Sequence, residues 1–489
     1  MEIGKLIKGL EILDIKGNMD TEIRGIALDS RKVKSGYVFV CIKGYKSDGH
    51  NFISSAIENG AGALIVEDEI GAIDGVPIIR VADTRFALAY VSDRYFDHPS
   101  AKLRLIGATG TKGKTTTTYM IKSIFEAFHQ KVGLIGTISN MIGDEVIYTE
   151  RTTPESYDLQ SLFAEMVEKK VDTAAMEVSS QGLKLNRVAC CDFNLGIFTN
   201  FSRDHIGPNE HSDFDDYFNS KMKLFKMCKT ALVNIDDDSG QRIADACDCE
   251  IYTYSIDKVS DFCAKNIIEY SDSVEFDVFC KWGHEHIKTA VPGIFSVYNS
   301  LAAIGAGLIS GVPFEFIVKG LASIRVPGRA EIVKTDRDFT VMIDYAHSPN
   351  SLLNILTTVK GFAKGSVICL FGCGGDRDRA KRPLMAEISA KLADFTIITS
   401  DNPRTEEPEK IVKEIEDGIK GTGAKYIAIV DRYSAIKYAL DNAKPGDIIV
   451  LAGKGHETYQ TFKDKTIHFD EREVVTEILA DENTSDKMQ

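Results

Sequence analysis

The chain has 489 residues, 44% hydrophobic residues and a formal net charge of −14, a composition typical of a multidomain globular protein. The acidic balance disfavours nucleic acid and anionic membranes as partners, because both attract basic surfaces. No apolar run approaches the roughly 18 residues that span a bilayer, and the amphipathic N-terminus has no export signal. We therefore expect a cytoplasmic protein without membrane insertion, whose ten cysteines are reduced thiols.

The first hundred residues predict a small α/β domain that ends at a linker. Its apolar segments are short, and polar turns separate them. The predicted strands are YVFVCI, GALIVE and PIIRV, and the predicted linker is FDHPSAKL. We expect this first domain to occupy residues 1–100.

Residues 101–327 predict a central α/β domain in which strands and helices alternate. The segments that indicate it are the strands LRLIGATG, KVGLIGT, DTAAMEV and FNLGIFTN and the helices TTTTYMIKSIFEAFHQ and VYNSLAAIGAGLI. The segment IRVPGRAE is the second predicted linker. Near-continuous apolar strands of this kind are typical of a parallel sheet covered on both faces.

Residues 328–489 predict a Rossmann-like domain, apart from a frayed tail over the last ten residues. Its predicted strands include TVMIDYA, SVICLFGCGG, FTIITSDNP and DIIVLAGKG. Ligands bind at the carboxyl ends of the strands in such sheets. Four polar motifs begin at those ends, namely DYAHSP, GCGGDRD, SDNPRTEEP and AGKGHE, so we predict a ligand site there.

A glycine-rich loop, GATGTKGKTTTT, joins the first strand of the central domain to a helix. Such a loop lets backbone N–H groups converge on phosphate oxygens, while Lys114 adds a point charge and the hydroxyl of Thr115 can bind Mg2+. The strict Walker pattern requires glycine where Ala108 stands, so the loop is a variant, and a plain helix-capping turn is the alternative. The predicted ATP site comprises Thr109, Gly110, Thr111, Lys112, Gly113, Lys114 and Thr115.

Nine motifs in a fixed order give the chain a resemblance to a known family. They are GTKGKTTT, MEVSSQGL, TNFSRDH, YNSLAA, PGRAE, DYAHSP, GCGGDRDRAKRP, DNPR and AGKGHE. In this order the chain resembles the Mur ligases, and among them the members that add the third residue of the peptidoglycan stem peptide. The resemblance covers nearly the whole chain, from DSR at position 29 to HETYQ. It implies three domains that bind, in order, the nucleotide-sugar substrate, ATP and the incoming amino acid.

The resemblance also implies amide formation in two steps. ATP phosphorylates a substrate carboxylate, and an amine then attacks the acyl phosphate, so that catalysis consists mainly of positioning and charge neutralisation. By resemblance, Glu177 and His205 bind magnesium together with Thr115. Lys221 stands four residues after Tyr217, the spacing at which the family has a carbamylated lysine that acts as a carboxylate-like metal ligand.

Each of these residues also has an ordinary structural interpretation. Taken alone, Lys221 reads as a solvated lysine on a helix, Glu177 as a solvated acid at a strand end, and His205 as a capping group. Threonine pairs often cap helices, and exposed arginines are common. The resemblance places the nucleotide-sugar substrate against Ser30, Thr152, Thr153, Ser179 and Arg187, and further ATP contacts at Asn299, Arg329, Asp344 and His347.

The loop SDNPRTEEP is the predicted site for the amine substrate. Arg404 presents a planar fork that matches a carboxylate, Asp401 and Asn402 can receive an ammonium, and Pro403 fixes the backbone between them. By resemblance, Arg377, Gly453 and Glu457 complete this site. The alternative is a solvated turn that starts a helix, which is a reasonable interpretation of Glu406 and Glu407 but not of Arg404.

Arg404 favours meso-2,6-diaminopimelate over L-lysine as the amine substrate. Lysine lacks the distal carboxylate, so it would leave a buried guanidinium unpaired, and sites of this kind can reject such analogues by on the order of 10⁴. The predicted reaction joins meso-diaminopimelate to the D-glutamate of UDP-N-acetylmuramoyl-L-alanyl-D-glutamate in cell-wall synthesis, with Mg2+, by a monomeric enzyme. The alternatives are the same ligase using L-lysine, a folylpolyglutamate synthetase-like ligase, a P-loop kinase or ATPase, and a non-enzymatic nucleotide-binding scaffold.

Overall fold

The computed structural model describes residues 1–45, 47–202, 206–207 and 210–486, with side chains described as far as residue 480. The chain divides into two compact units. The first unit comprises Met1–Cys263, Phe279–Gly283 and Tyr298–Gly320, and the second comprises Ala264–Val278, His284–Val297 and Leu321–Gln489. The described helices include none that is both long and apolar enough to cross a membrane.

The N-terminal part of the first unit is a five-stranded sheet with helices on both faces. Its strands are β1 (Asp14–Lys16), β2 (Gly25–Ala27), β3 (Tyr37–Val40), β4 (Ala61–Val66) and β5 (Ile78–Arg80), and its helices are α1 (Ile3–Leu6), α2 (Ile53–Glu58) and α3 (Thr84–Tyr95), with 3-10 turns at Ser30–Lys32, Gly49–Phe52 and Pro99–Lys102. The strand order is β1-β5-β4-β3-β2, and only β1 runs antiparallel to its neighbour. Val38 and Phe39 are buried on opposite faces, which explains the continuous apolar run.

The middle of the chain alternates strands and helices. The strands are β6 (Arg104–Thr109), β7 (Val132–Ile135), β8 (Asn140–Ile142), β9 (Glu145–Ile147), β10 (Thr173–Glu177), β11 (Phe193–Phe198), β12 (Cys228–Asn234), β13 (Glu250–Ser255), β14 (Phe262–Glu269), β15 (Val274–Cys280) and β16 (Gly283–Thr289). The helices are α4 (Lys114–Ala127), α5 (Ser156–Glu168), α6 (Ser180–Lys184), α7 (Phe214–Phe225), α8 (Asp238–Ala246), α9 (Ile294–Ile309) and α10 (Phe314–Ser323). The sequence predicts β6, β7, β10 and β11 but not the β8–β9 hairpin.

The central sheet of the first unit has the order β13-β12-β11-β6-β10-β7-β8-β9 and is parallel from β13 to β7. Its register brings the strand ends level, with Glu177 opposite Ala108 and Phe198 opposite Thr109. Position 107 in β6 requires a glycine, because a Cβ there would stand 2.6 Å from the Phe193 ring. The carboxyl ends of β6, β10 and β11 therefore share one edge.

The C-terminal part of the second unit is a six-stranded sheet with the order β17-β18-β22-β19-β20-β21. Its strands are β17 (Glu331–Val333), β18 (Thr340–Asp344), β19 (Val367–Phe371), β20 (Phe395–Ile398), β21 (Tyr426–Ala428) and β22 (Ile448–Ala452), followed by the hairpin β23 (Tyr459–Thr461) and β24 (Thr466–His468). Its helices are α11 (Pro349–Phe362), α12 (Lys381–Leu392), α13 (Pro408–Ile419), α14 (Arg432–Asp441) and α15 (Glu471–Asp486). Only β17 is antiparallel, and apolar clusters cover both faces, as the sequence predicts.

The predicted fraying of the last ten residues is wrong as far as Asp486, because α15 continues to that residue. The helix is anchored earlier, where Val475 and Ile478 pack into the core of the C-terminal sheet. Residues 487–489 lie outside the described part of the chain. Extending a helix whose first half is already packed costs less free energy than nucleating a new helix. This difference explains why α15 continues to Asp486.

A fully buried ion pair holds two strand ends of the C-terminal sheet together. Arg432 donates to Oε1 of Glu471 from Nε at 2.9 Å and from Nη2 at 2.7 Å, and both side chains are 0% exposed. The same guanidinium donates to the carbonyl oxygens of Ser400, after β20, and Ala452, at the end of β22. Arg432 thus fixes the start of two of the polar motifs.

We expect Arg432→Gln to destabilise the protein strongly, because it leaves Glu471 buried without its cation, a change worth about 3–5 kcal/mol. The measurement is urea unfolding followed by circular dichroism. The control is Lys437→Gln on the same helix, where an exposed lysine 3.1 Å from Asp441 contributes little. Equal urea midpoints for the two variants would contradict the role given to Arg432.

Candidate active site

The glycine-rich loop is a tight turn that ends at the first residue of α4. Gly113 has φ 86° and precedes the helix, and Nζ of Lys114 donates to the carbonyl oxygens of Gly110 at 2.8 Å and Thr111 at 3.1 Å. A Cβ at Gly113 would stand 2.4 Å from Oδ1 of Asn299, so the glycine lets Asn299 approach the loop. The structure therefore brings Asn299 to the predicted ATP site.

Residues that follow β11 hold the same loop in place. Thr199 donates from Oγ1 to the carbonyl oxygen of Lys112 at 2.7 Å, and Asn200 donates to that oxygen from Nδ2 at 3.0 Å. Asn200 also accepts from the backbone N–H of Lys112 at 2.9 Å. The sequence analysis did not assign these two residues, although their place directly after an apolar strand is a recognisable signal.

Glu177 is a buried carboxylate at the end of β10, so its interpretation as a solvated acid is wrong. It is 1% exposed and accepts from the hydroxyl of Thr115 at 2.9 Å, and from the N–H and hydroxyl of Thr137 at 2.8 and 3.1 Å. No cation pairs with this carboxylate in the part of the chain that the structure describes. Thr137, which the sequence analysis missed, follows β7 and thus lies at the same sheet edge.

Lys221 is also buried, which overturns its interpretation as a solvated lysine. It is 1% exposed on α7, donates to the carbonyl oxygen of Gly110 at 2.8 Å, and lies over the Tyr217 ring at 4.5 Å. Lys223, two residues later, is exposed and donates to the carbonyl oxygen of Leu183 at 3.3 Å. Burial on the loop side of α7 places Lys221 beside the phosphate loop, whereas His205 lies outside the described residues.

Four of the five residues predicted to bind the nucleotide-sugar substrate form a connected group beside Glu177. Thr153 donates to the carbonyl oxygen of Glu177 at 2.9 Å and accepts from the N–H of Ser179 at 3.0 Å. Thr152 is 3.0 Å from the Thr137 hydroxyl. Arg187 donates to the carbonyl oxygen of Thr153 at 3.2 Å and completes the group.

Ser30 lies apart from that group, in the 3-10 turn of the N-terminal sheet, where its carbonyl oxygen accepts from Asn59. Glu155, which the sequence analysis missed, is 2.9 Å from Nε of Arg187 and accepts from Arg151 at 2.9 Å. Burial lowers the pKa of Arg187 below its ordinary value. Glu155 therefore compensates the charge of an arginine that is only partly solvated.

In the second unit, three motifs converge around the ring of Tyr345. The ring centroid is 4.9 Å from the guanidinium carbon of Arg329, 4.5 Å from the ring of His347 and 4.9 Å from that of His456. Asp344 accepts from the N–H of Ala330 at 2.8 Å. Arg329, Asp344 and His347, predicted as ATP contacts, are thus neighbours in this unit.

Asp401, Asn402 and Glu457 form a largely buried polar cluster at the edge of the C-terminal sheet. Asn402 donates from Nδ2 to Glu457 at 2.7 Å, while its Oδ1 accepts from the N–H of Thr461 at 3.0 Å and from Lys454 at 3.3 Å. Both ends of the Asn402 amide are therefore engaged within the protein, rather than presented to an ammonium as predicted. Lys454, a buried cation that the sequence analysis missed, also lies 3.3 Å from Glu457.

Asp401 is the group of this cluster that remains able to receive a ligand cation. Its Oδ2 is buried and has no hydrogen-bond partner among the described residues. A Cβ at Gly453, where φ is 117°, would stand 2.8 Å from that oxygen, so a larger residue would crowd the carboxylate. Burial, followed by the charge of Asp401, raises the pKa of Glu457 above its ordinary value. An arriving ammonium would relieve this repulsion.

Arg404 and Arg377 both lie against Gly374. A Cβ on Gly374 would be 2.8 Å from Nη1 of Arg404 and 3.8 Å from Cγ of Arg377. Arg404 has φ 53° and donates to the carbonyl oxygen of Gly375 at 2.8 Å, and the preceding Pro403 is buried. The structure thus brings the two predicted arginines together, next to Asp401 and its neighbours.

The two acidic residues that follow Arg404 differ in their surroundings. Glu407 is exposed and precedes α13, in agreement with the interpretation as a solvated helix start. Glu406 instead accepts from the buried guanidinium of Arg382 at 2.8 and 3.0 Å. The interpretation of Glu406 as a solvated residue is therefore wrong.

Family models match most of the chain in three segments. Residues 22–95 match the model described as "Mur ligase family, catalytic domain", residues 108–307 match "Mur ligase middle domain", and residues 328–455 match "Mur ligase, glutamate ligase domain". A relative from Caldanaerobacter subterraneus subsp. tengcongensis is 48% identical over 482 residues, which cover 98% of this chain and 99% of the relative. The chain belongs to the Mur ligase family.

Two relatives that match this Mur ligase along nearly its whole length have the same name. The Caldanaerobacter protein and one from Clostridioides difficile, 46% identical over 98% of this chain and 100% of that protein, are both named UDP-N-acetylmuramoyl-L-alanyl-D-glutamate–2,6-diaminopimelate ligase. A solved structure with that name has a TM-score of 0.74 at 30% identity and covers 99% of each chain. The predicted family, fold class and ATP-dependent ligase activity are confirmed.

A solved folylpolyglutamate synthase from Mycobacterium tuberculosis also resembles this Mur ligase. It has a TM-score of 0.62 at 15% identity, and the alignment covers 75% of this chain. Identity this low indicates a shared fold alone. The relative named as a diaminopimelate ligase, 48% identical over 98% of this chain, disfavours the folylpolyglutamate alternative.

We expect His456 to titrate well below the exposed His468 of the same unit. Burial, with the nearby charges of Arg329, Arg472 and His347, lowers the pKa of His456 from 6.5 to about 4. A hydrogen bond to Glu473 instead raises the pKa of the exposed His468. NMR titration of histidine-labelled protein measures both.

The sign of the stability effect follows from the lowered pKa of His456. The unfolded chain binds this proton near pH 6.5 and the folded chain only near pH 4, so the stability contributed by neutral His456 is lost as pH falls between those values. His456→Asn should therefore weaken the pH dependence of unfolding in that range. Titration of His456 at or above 6.5 would contradict the burial described for it.

Proposed function

We propose that this Mur ligase joins meso-2,6-diaminopimelate to the D-glutamate of UDP-N-acetylmuramoyl-L-alanyl-D-glutamate. The observation that carries the proposal is the edge of the C-terminal sheet, where the unpartnered carboxylate oxygen of Asp401 lies in the same cluster of loops as Arg404 and Arg377. The far end of diaminopimelate carries one ammonium and one carboxylate. A buried acid and a guanidinium fork match those two groups, whereas lysine would leave the fork unpaired.

The proposed reaction has two steps. A carboxylate oxygen of the substrate attacks the γ-phosphorus of ATP, the bond to the β-phosphate oxygen breaks, and ADP leaves. The amine nitrogen of diaminopimelate then attacks the acyl carbon, phosphate departs, and the nitrogen loses a proton. Backbone N–H groups from Gly110 to Thr115 and the charge of Lys114 bind the triphosphate in the first step.

The donor set around Thr115 fits a hard cation. A hydroxyl and a buried carboxylate without a described cation partner are oxygen ligands of the kind that Mg2+ prefers. In the proposal, Thr115 and Glu177 hold the ion together with His205 and Lys221. When bound, the ion would neutralise charge on the triphosphate and the acceptor carboxylate.

Lys221 is proposed to act as a carbamate. A neutral amine and carbon dioxide form a lysine carbamate with loss of one proton, which turns a cationic group into an anionic one. The burial of Lys221 favours a reactive neutral amine, because burial disfavours the ammonium form. Its neighbour, the carbonyl oxygen of Gly110, lies in the phosphate loop, where an anionic group serves a metal better than a second ammonium would.

The remaining predicted residues take binding roles in the proposal. Thr152, Thr153, Ser179 and Arg187 contact the sugar-peptide, because they form one connected group beside Glu177. Ser30 contacts the uridine diphosphate. Asn299, Arg329, Asp344 and His347 contact ATP. A domain division at residues 100 and 327, a monomeric state, a cytoplasmic location and the absence of nucleic-acid partners also belong to the proposal.

The proposed function predicts that ADP release depends on the amine. We expect turnover when UDP-N-acetylmuramoyl-L-alanyl-D-glutamate and meso-diaminopimelate are both present, and at most slow turnover with L-lysine, because Arg404 would then lack its carboxylate. The measurement is a coupled assay for ADP, with mass spectrometry of the product. Equal rates with lysine would refute the role of Arg404, and ADP release without any amine would indicate a kinase or ATPase.

Lys221 and Lys223 provide a matched pair for the carbamate. We expect Lys221→Ala to lower kcat by about 10² or more, the loss typical when a group that stabilises transition-state charge is removed. Lys223→Ala, an exposed position on the same helix, should leave kcat close to the wild-type value. Steady-state kinetics measures both.

Chemical rescue distinguishes the two charge states of Lys221. Acetate should partly restore activity to Lys221→Ala, because a small carboxylate can take the place of the carbamate. Rescue by methylammonium in its place would show that the lysine acts as a cation. Equal activity of Lys221→Ala and Lys223→Ala would remove Lys221 from the site altogether.

A further inference from the structure

The loop that carries Arg404 and the loop that carries Arg377 are hydrogen-bonded to each other. The N–H of Gly375 donates to the carbonyl oxygen of Asn402 at 2.9 Å, and Arg404 donates to the carbonyl oxygen of Gly375 at 2.8 Å. A Cβ at Gly375 would stand 1.9 Å from the carbonyl oxygen of Pro403. Movement of one loop relative to the other would therefore break these hydrogen bonds.

Both loops contain a backbone conformation that side chains other than glycine rarely adopt. Arg404 has φ 53° and Asp376 has φ 55°. Asp376 accepts from the hydroxyl and N–H of Thr405 at 2.6 and 3.2 Å, so each left-handed residue is tied to the opposite loop. Strained positions of this kind persist only where surrounding interactions fix them.

A buried arginine supplies that fixation. Arg382 is 0% exposed on α12, and its guanidinium donates to Glu406 from Nη2 at 2.8 Å and from Nη1 at 3.0 Å. Glu406 also accepts from the N–H of Asp376 at 2.7 Å. The carboxylate of Glu406 thus joins the Arg404 loop, the Arg377 loop and α12. The hydrogen bonds from Arg382 hold the pKa of Glu406 below its ordinary value, which keeps this carboxylate charged.

The same guanidinium has a second partner, which meets the Arg377 loop at its far end, through the exposed Arg379. Nη1 of Arg382 donates to Glu414 at 2.6 Å, and Glu414 lies on α13, where it also accepts from the exposed Arg379. Glu414 therefore joins α13 to α12 and to the exposed end of the Arg377 loop. Since both acids share one buried cation, removing either takes one charged partner from Arg382, but Glu406 is the one that joins the Arg404 loop to the backbone N–H of Asp376.

We propose that Arg382 and Glu406 are positioning residues that hold Arg404 and Arg377 in the geometry that selects an amine substrate with a distal carboxylate. This inference rests on the proposed diaminopimelate site. Neither residue is placed in contact with the substrate. Their effect is to fix the loops that carry the two guanidinium groups, which directed hydrogen bonds to a carboxylate require.

The test compares Glu406→Gln with Glu414→Gln. We expect Glu406→Gln to raise the KM for meso-diaminopimelate by roughly tenfold or more, the size of effect typical of residues that orient a binding group. The ratio of kcat/KM for diaminopimelate to that for lysine should fall by a similar factor, while the KM values for ATP and for the nucleotide-sugar substrate stay unchanged. Glu414→Gln should change none of these values, although its thermal midpoint should fall to a similar extent.

Arg404→Lys separates failure of this inference from failure of the site on which it rests. If Arg404→Lys raises the KM for diaminopimelate but Glu406→Gln does not, the positioning role is refuted and the site stands. If Glu406→Gln and Glu414→Gln raise that KM equally, the effect is general destabilisation and the inference is also refuted. If Arg404→Lys leaves the KM unchanged, the placement of diaminopimelate itself is wrong.

Discussion

The parallel register of β6 with β10 and β11 is the constraint on which the phosphate site depends. Because Glu177 pairs with Ala108 and Phe198 with Thr109, the residues that follow these strands meet at one edge. The loop from Gly110 to Gly113 is then held by Thr199 and Asn200, and Glu177 accepts from Thr115 in the first turn of the helix that follows the loop. A shift of one residue would reverse every side chain on a strand and separate these groups.

Buried charged side chains lie beside the loops that form the candidate sites of this protein. Glu177 and Lys221 are buried beside the phosphate loop, and Arg382 and Arg432 lie beneath the loops of the C-terminal sheet. Burying a charge is costly unless hydrogen bonds and a partner compensate it, so each of these groups makes several directed contacts. The compensation fixes loop geometry, which the proposed recognition of phosphate and of a zwitterionic amino acid requires.

The sequence predicted the motif-bearing strand ends well, because their signals are local. A glycine-rich stretch between an apolar strand and a helix identifies a phosphate loop, and SDNPR after FTIIT identifies a ligand loop. The sequence did not predict the short strands β8 and β9. It also did not predict the ion pairs of Glu155, Lys454 and Glu406. Glu406 and Glu407 are adjacent residues of the same type, yet Glu406 binds a buried arginine and Glu407 is exposed.

By itself, the sequence determined the order of the elements, the phosphate loop and membership of the Mur ligase family, since these follow from local composition and from full-length similarity. Only the tertiary structure decided that Lys221 is buried while Lys223 is exposed, and that Arg432 fixes the carbonyl oxygens of Ser400 and Ala452. The physical reason is that burial and charge pairing depend on which distant segments pack against a side chain. Those segments are distant along the chain, so the residues next to a side chain in sequence do not predict its burial or its partners.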